Sequence, residues 1–245
     1  MIATAPTFRL VVRAAAPWAW RGDARTARKL AGFAATEAGS ALDMLRAAEL
    51  EPDARLRRLF FRHALDEARH ARMFGERADR LAGGRARGSD YDAIHALRQN
   101  LYERLGPVRF VAFVHLAERR GLAHFEALAR HFADQPALRA LFETVGRDER
   151  FHVAYTAEVL DGWRRTGRSR AVRRALARVR FERAWDAWRR TGRRLGDALA
   201  SALLGSTYFL VVSLFALLAR ALDRPDAGWT PAEPAPDSDD LRRLF

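Results

Sequence analysis

The chain has 245 residues, 49% of them apolar, which is enough to bury one sizeable core and marks a folded protein. It contains no cysteine, so disulfides, zinc ribbons and iron–sulfur clusters are excluded, and any bound metal must be held by oxygen and nitrogen. The net charge of +13 is concentrated: Arg164 to Arg194 holds thirteen arginines against Glu182 and Asp186, a balance of +11. That concentration argues against a uniformly basic nucleic-acid surface and for one local basic device.

Residues 1–22, with Pro6, Pro17, Trp18 and Trp20, read as an arm that packs on something, in a conformation the sequence does not assign. Arg9 and Arg13 interrupt its apolar run, so it lacks the uninterrupted core of a signal peptide. Asp23 is expected to cap a helix running to about Leu50, with Leu30, Phe33, Glu37, Ala41 and Met44 on one stripe. Pro52 and Asp53 break the chain, and a second helix follows with Leu56, Phe60, His63, Glu67, His70, Phe74 and Leu81 on one face, ending at Gly83-Gly84. A bridging segment from Asp90 to Leu105, with Ile94, Leu97, Leu101 and Leu105 inward, is needed to start the next pair of helices at the far end of a bundle. Pro107 opens a third long helix (Val111, Val114, Glu118, Leu122, Phe125) and Pro136 a fourth (Leu138, Phe142, Val145, Glu149, His152, Val159). No β-type alternation is present, so the predicted class is all-α, a four-helix bundle over residues 23–163 that closes its core without anything beyond Trp163.

Residues 164–197 form a basic aromatic segment of helical propensity. It is awkward as one straight helix, because Val172, Leu176 and Val179 make one stripe while Phe181, Trp185 and Trp188 make another on roughly the opposite side. Residues 198–219 then contain no charge over 22 positions, about 33 Å as a helix. With arginines before it, this run fits a membrane span or an in-plane helix that leaves the bundle on the cytoplasmic face of the inner or plasma membrane. The competing reading is an extra helix packed on the bundle of a cytoplasmic protein. Ser201 and Gly205 have the small-xxx-small spacing that lets two such helices pair, as in a homodimer. Residues 220–245, rich in Pro, Asp and Ala, are expected to be a disordered tail.

One pattern occurs twice. Glu37 precedes Glu67-x-x-His70 by 30 residues, and Glu118 precedes Glu149-x-x-His152 by 31. Glu and His three apart share a helix face one turn from each other, and a lone Glu on the antiparallel neighbour completes half a site. Four inward carboxylates without an inward Lys or Arg call for cations, because burying unpaired carboxylates is costly. The arginines near the motifs (Arg69, Arg119, Arg120, Arg150) lie at angles that mostly face outward. The six candidate metal ligands are therefore Glu37, Glu67, His70, Glu118, Glu149 and His152. Asp66 and Asp148 precede the two motif glutamates, and each is expected to support an imidazole across the bundle, Asp148 on His70 and Asp66 on His152. His63, one turn before Glu67, is either a seventh ligand, a proton carrier or a core histidine. Tyr155, three residues past His152, is either a redox-active or hydrogen-bonding group or a core tyrosine. Ala34, Ser40, Ala41 and Gly121 would leave room for a small molecule or, equally, allow close helix packing.

Asp66-Glu67-Ala68-Arg69-His70 and Asp148-Glu149-Arg150-Phe151-His152 resemble the DExRH-type motifs of the ferritin-like di-iron carboxylate superfamily, which includes rubrerythrins, acyl-carrier-protein desaturases and the small subunit of ribonucleotide reductase. The resemblance spans Asp23 to Trp163 and is specific at the ligands. It implies two iron ions, with manganese possible at either position, bridged by Glu67 and Glu149 and closed by Glu37 and Glu118 as terminal ligands. It also implies O2 as a co-substrate. The function expected on this basis is an O2-dependent di-iron hydroxylase, desaturase or related oxidase, acting on a hydrophobic or lipid substrate and fed by an electron-donor protein that the sequence does not identify. The alternatives are a membrane-tethered iron oxidase or peroxide-handling protein, and a di-iron RNA hydroxylase using the basic segment.

Overall fold

The computed structural model describes residues 5–83 and 100–222, with side chains from Leu10 onward, and the described residues contain helices and no strand. The N-terminal arm is a helix, α1 (Ala5–Ala19), with Pro17 in its last turn. It docks through buried Ala16 and through Trp20 just beyond its end, which stacks on Phe33 at 5.9 Å and meets Phe132 and Phe142 edge-on at 5.6 and 6.0 Å. The aromatic contacts fix what the local sequence left unassigned.

The long helices begin where the breakers place them. In α2 (Asp23–Leu50) the cap position falls to Gly22, at φ 81°, and Asp23 lies in the first turn without a side-chain cap bond. Its carboxylate there faces the positive end of the helix dipole instead of capping it. For α3 (Ala54–Leu81) the Asp53 carboxylate accepts from Leu56 N at 2.7 Å. Of the bridging segment, α4 (Leu101–Leu105) is described; Ile94, Leu97 and the rest of 84–99 lie outside the described residues. Leu101 and Leu105 pack, half-buried, against the core. Helices α5 (Pro107–His131) and α6 (Pro136–Trp163) each carry proline in the first turn, where its missing N–H costs no helix bond.

Helix α2 packs on α3 and α5 on α6, giving two helical hairpins. Their apolar side chains form two clusters, one around Met44, Phe60, Phe110, Val111 and Leu160, the other around Leu30, Phe74, Phe125, Phe142 and Val145. Between the clusters lies a polar layer. Along α3 the buried order is Phe60, His63, Glu67, His70, Phe74, and the other three helices place Glu37, Glu118, and Glu149 with His152, between members of the two clusters in the same way.

The core does not close at Trp163. A turn at Arg164–Arg168, in which Gly167 adopts φ 87°, leads into one continuous helix, α7 (Ser169–Leu222). Val172, Ala175 and Leu176 are buried in the first cluster, and Val179 is buried as well. Arg109 pairs with Glu182, and Arg183 donates to the Phe113 carbonyl at 3.1 Å. The basic segment is thus divided, and the first compact unit runs through Asp186. Phe181 and Trp185, on the second stripe, stay exposed at 66% and 48%. One helix carries both stripes, and only the first enters the core.

The second unit begins at Ala187. Its described part is helical to Leu222 and includes an 18-residue window of mean hydropathy 2.1, none of it buried, long and apolar enough to cross a membrane. The expected disordered tail from residue 223 onward lies outside the described residues.

Candidate metal centre

Helix α2 supplies Glu37, α3 His63, Glu67 and His70, α5 Glu118, and α6 Glu149 and His152; Glu118 is the most exposed at 8%. Their ligand atoms form two overlapping groups, each within 4.8 Å: Glu37, Glu67, His70 and Glu149 in one, His63, Glu67, Glu118 and His152 in the other. Glu67 belongs to both. Its Oε1 lies 3.3 Å from His63 Nε2, 3.7 Å from His70 Nδ1 and 3.5 Å from His152 Nδ1. Glu149 reaches both sides as well, with Oε1 3.7 Å from His70 Nδ1 and Oε2 3.5 Å from His152 Nδ1. The helix spacing thus places all six sequence-predicted ligands in one layer, and it adds His63.

Each imidazole is held from behind. His70 Nε2 lies 3.1 Å from Asp148 Oδ2, and His152 Nε2 lies 3.3 Å from Asp66 Oδ2, so each aspartate serves the histidine of the opposite motif. His63 Nδ1 meets the Tyr155 hydroxyl at 2.7 Å. The inward nitrogens (His63 Nε2, His70 Nδ1 and His152 Nδ1), together with Glu67 Oε1 and Glu149 Oε2, are buried without a hydrogen-bond partner. Arg69, expected to face outward, folds back to donate to Asp66 at 2.7 Å and to Asp148 at 2.9 Å. Its place three residues after Asp66 is the signal that could have shown the first of these contacts.

The electrostatics follow from crowding carboxylates in a dry layer. Burial, and then the charge of Glu67, hold Glu37 well above the usual carboxylate range. Burial, followed by Glu118, does the same to Glu149. For Glu67, burial is outweighed by the favourable influence of neighbouring Glu37, His63 and His70, so its carboxyl is held well below the usual range. Burial and the nearby carboxylates raise the Tyr155 phenol, which stays neutral. Among the described residues, the ion-pair partners of Glu67, Glu118 and Glu149 are all histidines, and Arg183, which feels the charge of Glu118, makes no ion pair with it. Orphaned inward donor atoms, a donor set of oxygen and imidazole nitrogen, and uncompensated buried acid together fit metal ions.

A Cβ at Gly121 would lie 3.9 Å from Glu149 Oε2, so the glycine leaves a small space beside that carboxylate. Ala34, Ser40 and Ala41 are half-buried on α2. A surface cleft of about 670 Å³ lies elsewhere, lined by Glu126, Arg130, Phe142 and Arg147 among others, none of them in the layer. His115 bonds Thr156 at 3.0 Å and takes no part in the cluster.

No protein-family model matches the chain, and no curated protein or solved structure matches it either. The residues themselves establish an all-helical protein with a buried Glu/His cluster that can hold metal ions.

Proposed function

We propose that the chain is a ferritin-like di-iron oxidoreductase that uses O2 to hydroxylate, desaturate or otherwise oxidise a hydrophobic, membrane-resident substrate. The observation that supports this most is the pair of overlapping ligand groups sharing Glu67, with partnerless nitrogens aimed inward. In this reading two ions would be held by Glu67 and Glu149 as shared carboxylates, by Glu37 and Glu118 as terminal ones, and by His70 and His152 as the imidazole ligands. Two ferrous ions, when bound there, would supply electrons for the reduction of O2. The protein's own part is to exclude water, with all seven layer residues between 0 and 8% exposed, and to fix each imidazole tautomer through Asp66, Asp148 and Tyr155. The unburied apolar window of α7, preceded by arginines, favours a lipid-phase substrate met at the cytoplasmic face of a membrane.

The test is iron content followed by product analysis. Full-length protein loaded anaerobically with Fe(II) should retain close to two equivalents, and Glu67→Ala or Glu149→Ala should lose most of it. Lipid extracts from cells with the wild type should contain an oxidised product that is missing with Glu67→Ala. Two irons with O2 consumption but no product other than ferric ion would move the assignment to iron handling. Wild type without iron or manganese would end it.

A further inference from the structure

One sequence offset relates the motif of α3 to that of α6, with the lone glutamates Glu37 and Glu118 one residue out of it, and at one end of the layer the residues so related differ in kind. The shift that carries Glu67 to Glu149 and His70 to His152 carries His63 to Val145 and Met73 to Tyr155. One end of the layer therefore has a histidine and a tyrosine in hydrogen-bond contact at 2.7 Å, where the other has Val145, fully buried in an apolar cluster, and Met73 beside it. His63 is 0% exposed and stacks on His152 at 3.6 Å between centroids, with the rings 17° from parallel. Its Nε2 points to Glu67 Oε1 at 3.3 Å and Glu118 Oε1 at 3.6 Å and has no hydrogen-bond partner. It thus repeats what His70 and His152 do: one nitrogen anchored behind, the other bare and turned toward the carboxylates. From α3 it joins a group to which α5 and α6 supply Glu118 and His152.

Resting on the metal centre proposed above, we infer that His63 is a seventh ligand, positioned by Tyr155, and that it makes the two metal positions unequal. The position of His63, Glu67, Glu118 and His152 offers two imidazoles; that of Glu37, Glu67, His70 and Glu149 offers one. Imidazole suits iron, nickel and zinc, with Co(II) between iron and nickel in the affinity order, whereas carboxylate sites suit manganese and magnesium, so the two-imidazole position binds Co(II) more tightly. Coordination through Nε2 requires a proton on Nδ1, so His63 then donates to the Tyr155 oxygen.

Anaerobic Co(II) titration of the full chain, followed by calorimetry and visible absorption, tests this. Wild type should take two equivalents in two resolved steps. His63→Ala and His63→Gln should remove the tighter step and alter its cobalt spectrum, while leaving the weaker step. Tyr155→Phe should keep that step but weaken it by about ten- to a hundredfold, with the cobalt spectrum of a nitrogen ligand retained. Folded His63 variants with both wild-type constants would overturn the inference and leave the two-metal centre standing. If neither His63 variant folds, Tyr155→Phe decides, and an unchanged tight constant overturns the inference. A wild type that binds no Co(II) overturns the proposed centre and this inference with it.

Discussion

Arg69 stands outside the polar layer, 42% of its side chain exposed, yet it touches both aspartates that hold the imidazoles. A long stem lets a guanidinium leave from an outward position and fold back, so helical angle alone misplaced it. Asp148→Asn should weaken Fe(II) binding by about ten- to a hundredfold by loosening His70, while Arg69→Met, which frees both aspartates, should weaken both positions. Unchanged affinity in both variants would show that the aspartates do not orient the ligands. A separate acid has a pH consequence outside the layer. Asp43 is pushed up to about 6 by burial, against the pull of Arg104. Below its ordinary 3.8 it is protonated folded or unfolded, and between 3.8 and about 6 only the folded chain keeps the proton. Its contribution to stability is therefore full at the acid end and is lost as pH rises through that window. Asp43→Asn should remove that slope from the thermal midpoint measured between pH 4 and 7, and an identical slope in both proteins would refute the assignment.

Helix limits at Asp53, Pro107 and Pro136 were legible because caps and prolines act locally, and the ligand layer was legible because its spacing is a property of single helices. His63 was ambiguous for the opposite reason: a core histidine and a ligand occupy the same helical angle, and only the position of Tyr155 on another helix distinguishes their surroundings. Helix α1 and the start of α7 were misjudged or left open because tertiary contacts decide them. Trp20 docks on Phe132 and Phe142, more than a hundred residues away, and Val172 and Leu176 enter a cluster built by α2 to α6. Leu176→Ala should then cost about 2–3 kcal/mol in chemical denaturation, as for a nearly buried leucine, while Phe181→Ala on the exposed stripe should change stability by less than about 0.5 kcal/mol. Equal effects would mean that α7 does not complete the core. The same contact moves the cut point for a minimal fragment: a chain ending after Asp186 should stay folded, and one ending after Trp163 should expose the faces that Val172 and Leu176 cover.

At the scale of the whole molecule, composition separates chemistry from place: the Glu/His layer lies within the first unit and the uncharged run within the second. The full chain should remain with membranes after a carbonate wash, whereas the fragment ending after Asp186 should appear in the soluble fraction and still bind two metal ions. Full-length protein released by carbonate would refute insertion. The way the donors are shared has a kinetic consequence too. Within each hairpin the contacts are close in sequence, so α2 with α3, and α5 with α6, can form early and without metal. Neither candidate ligand group, however, is complete until the hairpins dock, because one needs Glu149 from α6 and the other needs His63 and Glu67 from α3. Metal held there would act on the last event of assembly and the first of disassembly. Bound ions should therefore slow unfolding far more than they speed refolding, making the loaded protein long-lived rather than quick to form.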